Sequence, residues 1–87
     1  MPKVIIDVRE PHEYELGHYK EALNIPLSKF SDKNYLLDKF ATGDKIVVYC
    51  RSGGRASVAE QLLKSYGYKD VVNLINQEYL EYNIDKI

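Results

Sequence analysis

The 87-residue sequence lacks several features that would point to particular classes of protein. It has one cysteine, so no disulfide can form within the chain, and a lone thiol fits a reducing compartment. The formal net charge of -1 provides no long-range attraction to nucleic acid or to an anionic membrane. No apolar run approaches the roughly 18 residues of a membrane span, and no secretory signal is visible. We therefore expect a cytoplasmic protein without nucleic-acid or membrane partners.

Short apolar runs alternate with helix-like patterns from one end of the chain to the other. The predicted strands are Val4–Val8, Ala22–Ile25, Lys45–Tyr49 and Val71–Ile75. The predicted helices are Pro11–Leu16, Asn34–Phe40, Ala56–Tyr66 and Glu78–Tyr82. This alternation predicts an α/β fold with a mostly parallel central sheet and helices on both faces. Without internal repeats or linkers, we expect a single domain over residues 1–87.

The single cysteine, Cys50, lies between the strongest predicted strand and the longest predicted helix. Ligands gather at the carboxyl ends of parallel strands, and backbone N–H groups at a helix start favour a thiolate. Gly53 and Gly54 allow the backbone to curl so that successive N–H groups converge on an anion. The flanking Arg51 and Arg55 add positive charge. A guanidinium about 4 Å away contributes up to roughly 4 kcal/mol, against about 0.3–1 kcal/mol for the helix dipole.

Other polar residues have simpler interpretations. Asp7 and Arg9 lie two residues apart, so in extended backbone both side chains face the same side, which favours a structural ion pair or loop brace over catalysis. His18 is interpreted as a structural turn residue and His12 as an exposed residue without a role. Ser57 is expected to serve as a cap or first-turn residue of the helix after Cys50.

Two blocks of sequence resemble the rhodanese family in its small single-domain form. The first, the segment CRSGGRA at residues 50–56, is similar to that family's active-site loop. The second, IDVREPHEY at 6–14 with GH at 17–18 and ALNIPL at 22–27, is similar to its N-terminal signature. The resemblance extends over nearly the whole chain, and it implies a rhodanese-like fold.

The resemblance implies sulfur transfer. Cys50 would take sulfur from a donor such as thiosulfate or a persulfide and pass it to a thiol, protein or cyanide acceptor. Amides of the loop from Arg51 through Ser52, Gly53 and Gly54 to Arg55 would hold the Cys50 persulfide. The two arginines would orient the sulfonate end of thiosulfate. Asp7 and Arg9 would support the loop, and no metal or organic cofactor is implied.

The chain departs from the family pattern in two places. Tyr19-Lys20-Glu21 stands where an aliphatic residue and Pro-Gly are expected, which alters a turn. Ile75-Asn76-Gln77 stands where many members carry a Gly-Gly pair, and its larger side chains are expected either to narrow the mouth of the site or to change its substrate preference. Both departures bear on the choice of donor and acceptor.

Two alternative functions stay open at the level of sequence. One is a carrier that holds persulfide sulfur for a partner but turns over poorly alone. The other is a cysteine phosphatase or arsenate reductase, whose related loop is Cys-x5-Arg. Here the arginine comes one residue earlier, at Arg55, and the shorter ring favours a sulfur atom over a tetrahedral phosphate.

Overall fold

The computed structural model describes residues 3–87. Within that range four strands form one sheet: β1 (Lys3–Asp7), β2 (Leu23–Asn24), β3 (Lys45–Tyr49) and β4 (Asp70–Asn73). The described helices are α1 (Pro11–Leu16), α2 (Lys33–Lys39), α3 (Gly54–Ser65) and α4 (Gln77–Asn83). Short 3-10 helices cover Leu27–Ser31 and Ile84–Lys86. None of these helices is long and apolar enough to cross a membrane.

The sheet has the strand order β2-β1-β3-β4, and every neighbouring pair is parallel. In the register of the central pair, Asp7 lies opposite Tyr49, so β1 and β3 end at the same edge. This confirms the α/β prediction, and the described sheet is wholly rather than mostly parallel. The loops that follow the strands therefore meet at one edge, which holds Cys50 and Arg9.

Successive side chains along a strand point to opposite faces of the sheet, so the core is divided into two clusters, one on each face. On one face, Ile46 and Val48 pack with residues of α2 and α3, including Leu36 and Leu63. On the other, neighbours such as Val47 pack with residues of α4 and the C-terminal turn. Because both faces are covered, the strands are apolar throughout, as parallel strands usually are.

The predicted element boundaries were mostly accurate to within two residues. Helix α3 begins two residues earlier than predicted, at Gly54, because the loop glycines lead directly into its first turn. Strand β4 ends at Asn73, two residues earlier than predicted. The reason is that Ile75 has φ = 68°, a left-handed conformation that cannot continue a strand. This turn lies beside Cys50.

Candidate active site

Cys50 lies directly after β3, between the sheet and the start of α3. Its backbone N–H donates a hydrogen bond to the carbonyl oxygen of Ile75, 3.0 Å away. The residue is only 2% exposed and belongs to the core cluster between the sheet and α3. Cys50 is thus a buried thiol held at the carboxyl edge of the sheet, where a catalytic group is expected in such a fold.

Backbone N–H groups surround the sulfur of Cys50. The N–H of Gly53 donates to the Sγ atom at 3.1 Å, and the N–H of Ala56 donates to it at 3.4 Å. Burial raises the pKa of the thiol, but hydrogen bonds from Ala56, Ser52, Gly53 and Arg55 amides outweigh it, so the pKa is lowered overall. The loop therefore favours the thiolate, the nucleophilic form of cysteine.

The conformation of Gly53 makes this arrangement possible. Gly53 has φ = 95° at the N-cap of α3, a left-handed conformation open mainly to glycine. A Cβ atom at this position would lie 3.2 Å from Cγ2 of Ile75. The side chain of Ile75 thus packs closely on the loop that holds Cys50.

Arg55 is held by an acidic partner from α1. Its Nη1 and Nη2 atoms donate to the two carboxylate oxygens of Glu13 at 2.7 and 3.0 Å. The bond to Arg55 is the main reason that the pKa of Glu13 falls to about 2, from 4.5. The sequence led us to expect both arginine side chains to act on the thiolate. In the structure backbone amides are the main groups that lower the thiol pKa. The guanidinium of Arg55 binds Glu13, and its charge also interacts favourably with the Cys50 thiolate.

Asp7 and Arg9 form a buried ion pair beneath the loop. The Asp7 carboxylate is inaccessible and accepts bonds from Nε and Nη2 of Arg9, the shortest being 2.7 Å. The hydroxyl of Tyr49, the residue before Cys50, also donates to Asp7 at 3.1 Å. Burial is the main reason that the pKa of Tyr49 rises to about 12. The predicted ion pair is therefore present, and its structural role stays a prediction.

Arg51 lies at the surface beside a shallow cavity. The cavity has a volume of about 220 Å³ and is lined by Arg9, Glu13, Leu16 and Arg51. Arg51 is exposed, whereas Arg9 is largely covered by its bonds to Asp7 and to the carbonyl of Gly17. The positive charge nearest to solvent in this cavity is therefore that of Arg51, which suits an anionic ligand.

The first departure from the family pattern, Tyr19-Lys20-Glu21, contacts the Asp7 ion-pair network. The N–H of Tyr19 donates to the Tyr49 hydroxyl at 3.1 Å, so the altered turn completes the Asp7 network. The ring of His18 stacks on Tyr14 at a centroid distance of 3.5 Å, and its Nδ1 lies 2.7 Å from the Tyr14 carbonyl oxygen. These contacts agree with the interpretation of His18 as a structural turn residue.

Several residues of the site had not been singled out from the sequence. Glu13 lies in the N-terminal block, and its helix-start position was its only signal. Asn73 donates from its amide to the Gly53 carbonyl of the Cys50 loop, and this contact carried no signal because Gly53 lies 20 positions away. Its other partner, the N–H of Ile75, is only two residues away. Across residues 3–87, no three His, Cys, Asp or Glu side chains are grouped closely enough to hold a metal ion.

Comparison with known protein families assigns nearly the whole chain to one model. Residues 1–82 match the Rhodanese-like domain. Among curated proteins, the chain is 37% identical to the Schizosaccharomyces pombe "Putative thiosulfate sulfurtransferase, mitochondrial", over 97% of this chain and 65% of that protein. It is also 37% identical to the adenylyltransferase and sulfurtransferase UBA4 of Saccharomyces cerevisiae, over 78% of this chain but 17% of UBA4. A Bacillus subtilis relative, "Putative sulfur carrier protein YrkF", is 35% identical over 82% of this chain and 37% of its own length.

Solved structures show the same fold. A rhodanese with anions from E. coli superposes with a TM-score of 0.78 and 29% identity, covering 90% of this chain and 91% of that one. The human single-domain sulfurtransferase TSTD1 superposes with a TM-score of 0.74 and 27% identity, covering 98% and 83%. The chain thus spans most of these two structures but less than two thirds of each of the three curated relatives.

Proposed function

The chain belongs to the rhodanese family of sulfurtransferases, and we propose that it moves sulfane sulfur from a donor such as thiosulfate to a thiophilic acceptor through a Cys50 persulfide. The observation that carries this proposal is the convergence of loop amides on the Cys50 sulfur, with Gly53 N–H at 3.1 Å and Ala56 N–H at 3.4 Å. A ring of N–H donors stabilises both a thiolate and a persulfide anion. The reaction needs a reduced Cys50, and we place it in a reducing compartment such as the cytoplasm.

In the first step, the Cys50 thiolate attacks the outer sulfur of thiosulfate. A new S–S bond forms to Cys50, the S–S bond of thiosulfate breaks, and its electron pair leaves with sulfite. The enzyme gains one sulfur atom and keeps one negative charge, now on the terminal sulfur. The N–H groups of Gly53 and Ala56 are directed at Sγ of Cys50, and in this proposal the loop amides also stabilise the charge as it moves to the neighbouring terminal sulfur.

In the second step, an acceptor takes the terminal sulfur. A cyanide ion attacks that sulfur, the persulfide S–S bond breaks, and the electron pair returns to Cys50 as a thiolate while thiocyanate departs. A thiolate acceptor, free or on a protein, reacts in the same way and leaves as a persulfide. The loop that lowers the thiol pKa also makes Cys50 a better leaving group in this step.

The two loop arginines take different parts in this proposal. Arg51 is exposed beside the shallow cavity, and we assign to it the attraction of the sulfonate end of thiosulfate. Arg55 is bound to Glu13, so its first effect is to hold the start of α3 against α1. Its backbone N–H still contributes to the low thiol pKa. We therefore assign donor binding mainly to Arg51.

Intact-mass spectrometry tests the proposal directly. Incubation with thiosulfate should add one sulfur atom to the wild-type chain, and Cys50→Ser, which retains the size of the residue, should add none. Because Cys50 is the only cysteine, the adduct has one possible position on a thiol. The proposal would be overturned if the wild-type chain gained no sulfur atom from any of three donors: thiosulfate, inorganic polysulfide and glutathione persulfide. Hydrolysis of an aryl phosphate that depends on Cys50 would instead favour phosphatase chemistry.

A sulfur carrier is the second candidate function. It is favoured by the Bacillus subtilis relative whose name refers to a sulfur carrier. A carrier would load sulfur from thiosulfate as the enzyme does, but it would release thiocyanate slowly under steady-state conditions with cyanide. The enzyme and the carrier are distinguished by the ratio of two rates: single-turnover sulfur loading from thiosulfate, and steady-state release of thiocyanate. A ratio near one supports the enzyme, and a ratio far above one supports the carrier.

A further inference from the structure

The side chain of Asn73 connects two segments that surround Cys50. Asn73 is the last residue of β4 and is partly buried. Its Nδ2 donates to the carbonyl oxygen of Gly53 at 3.1 Å, and its Oδ1 accepts from the N–H of Ile75 at 2.8 Å. One amide side chain thus holds the loop before α3 and the turn after β4 in a fixed relation.

The turn held by Asn73 is in a conformation that its sequence disfavours. Ile75 has φ = 68°, and the N–H of Asn76 donates to the carbonyl of Leu74 at 2.8 Å, which closes a three-residue turn. This turn type is rare and strained, above all for a β-branched residue. Strained backbone persists only where surrounding contacts enforce it. The bond from Asn73 to the Ile75 N–H is one such contact.

The same turn supports Cys50 from its other side. The carbonyl of Ile75 accepts the N–H of Cys50 at 3.0 Å, and the Ile75 side chain packs against Gly53. Loss of the turn would therefore release both the cysteine backbone and the glycine whose N–H binds the sulfur.

The bond from Asn73 acts on the residue whose N–H faces the sulfur. The Gly53 N–H points at Sγ, while its carbonyl oxygen is bound by Asn73 and by the N–H of Ser57 at 2.9 Å. A carbonyl oxygen turned toward the thiolate would repel it. The additional bond from Asn73 helps to keep this oxygen turned away from the sulfur, at a glycine whose backbone could adopt other conformations.

We propose that Asn73 is a positioning residue that keeps the Gly53 amide directed at the Cys50 sulfur by joining the Gly53 carbonyl to the Ile75 turn. It does not contact the sulfur. The importance of Asn73 for sulfur transfer rests on the proposed function, whereas its effect on the ionisation of the Cys50 thiol does not. Asparagine suits the role because it both donates and accepts, which neither a carboxylate nor a hydrocarbon side chain does.

Titration of the thiol tests this role. Protein labelled with ¹³Cβ cysteine gives one cysteine resonance, and its chemical shift is followed as a function of pH. The midpoint of that titration curve reports the ionisation of Cys50 without any substrate. In Asn73→Ala the midpoint should move to higher pH, and alkylation by iodoacetamide at pH 7 should slow about threefold to tenfold, as expected for one weakened hydrogen bond to an anion. An unchanged midpoint in folded Asn73→Ala would overturn the inference.

Asn24→Ala is the matched control. Asn24 ends β2, and its Nδ2 donates to the carbonyls of Asp7 and Arg9 at 3.1 and 2.9 Å, so this variant also removes an amide that ties backbone segments at the same edge. It should lower stability without moving the Cys50 midpoint. An equal shift in both variants would show a general loosening and overturn the specific role of Asn73.

Asn73→Asp keeps the inference testable if Asn73→Ala does not fold. Aspartate retains the size and the acceptor for the Ile75 N–H, but it cannot donate to Gly53 and it adds negative charge, so the midpoint should rise. An unchanged midpoint would again contradict the proposal. If the Asn73 variants shift the Cys50 midpoint as expected but the wild-type protein gains no sulfur, the proposed function fails while the role of Asn73 stands. Normal sulfur loading with an unshifted midpoint in the variants would instead overturn the role of Asn73 and leave the proposed function standing.

Discussion

Glu13 and Arg55 form a bidentate ion pair, with Nη1–Oε1 and Nη2–Oε2 distances of 2.7 and 3.0 Å, that joins α1 to the first turn of α3. Glu13 also accepts from the backbone N–H of Glu10 at 3.0 Å, so one carboxylate both closes the start of its own helix and holds the Cys50 loop. The arginine that ends the loop is thus part of the frame around the sulfur.

Glu13→Gln should destabilise the protein in a pH-dependent manner. Folding lowers the pKa of Glu13 from 4.5 to about 2, mainly through the bond to Arg55. The pair's contribution is therefore complete above pH 4.5 and is lost as pH falls toward 2. We expect a cost of about 1 kcal/mol at pH 7, since Arg55 is partly exposed to solvent. Urea unfolding of wild type and variant at pH 7 and pH 2.5 measures it.

Glu15→Gln is the control for this experiment, because Glu15 lies on the same helix but is exposed. It should change the free energy of unfolding little at either pH. A cost for Glu13→Gln that persists undiminished at low pH would contradict the assignment, because a protonated Glu13 no longer differs from glutamine in charge.

Arg51→Ala should mainly raise KM for thiosulfate, about fivefold, with kcat little changed. The reason is that an exposed cation contributes roughly 1 kcal/mol to binding an anion, and it does so equally in the ground and transition states. Steady-state thiocyanate formation at low ionic strength measures both constants. Lys64→Ala removes a different exposed cation, one paired with Glu60 on α3, and should leave KM unchanged. An unchanged KM in Arg51→Ala would place this side chain outside the donor site.

Arg9→Ala should be far more destabilising than the loss of a surface ion pair. It would leave the Asp7 carboxylate, which is 0% exposed, without its main partner, and such losses typically cost about 3 kcal/mol or more. Asp7→Asn combined with Arg9→Met should be less damaging than Arg9→Ala alone, because no buried charge remains. Lys45→Ala breaks the exposed Lys45–Asp70 pair and should cost less than about 1 kcal/mol. A similar cost for Arg9→Ala and Lys45→Ala in urea unfolding would contradict this account.

Much of this site could be predicted from local sequence. The apolar runs identified all four described strands. Cys50 and the loop glycines lie between a strand and a helix that are adjacent in sequence, so the backbone N–H groups around the sulfur come from neighbouring residues. The parts that could not be predicted depend on contacts between distant segments. Glu13 meets Arg55 across 42 positions, and Asn73 meets Gly53 across 20. The sequence predicts a strand through Ile75 because the residues there are β-branched and apolar, and tertiary contacts override that local preference to form the strained turn.

The two loop glycines should respond in opposite ways to alanine. Gly53 has φ = 95°, and an added Cβ would lie 3.2 Å from Ile75 Cγ2, so Gly53→Ala should cost about 1–2 kcal/mol in the free energy of unfolding. Gly54 begins α3, and an added Cβ there meets nothing within 4 Å. Gly54→Ala should therefore be neutral or stabilise by about 0.4–1 kcal/mol, because alanine restricts the unfolded chain. Urea unfolding of both variants compares them. Gly53→Ala should also move the Cys50 midpoint to higher pH, since strain at this residue redirects the N–H that binds the sulfur. Equal stability of the two variants would show that the left-handed conformation of Gly53 is not what shapes the loop around Cys50.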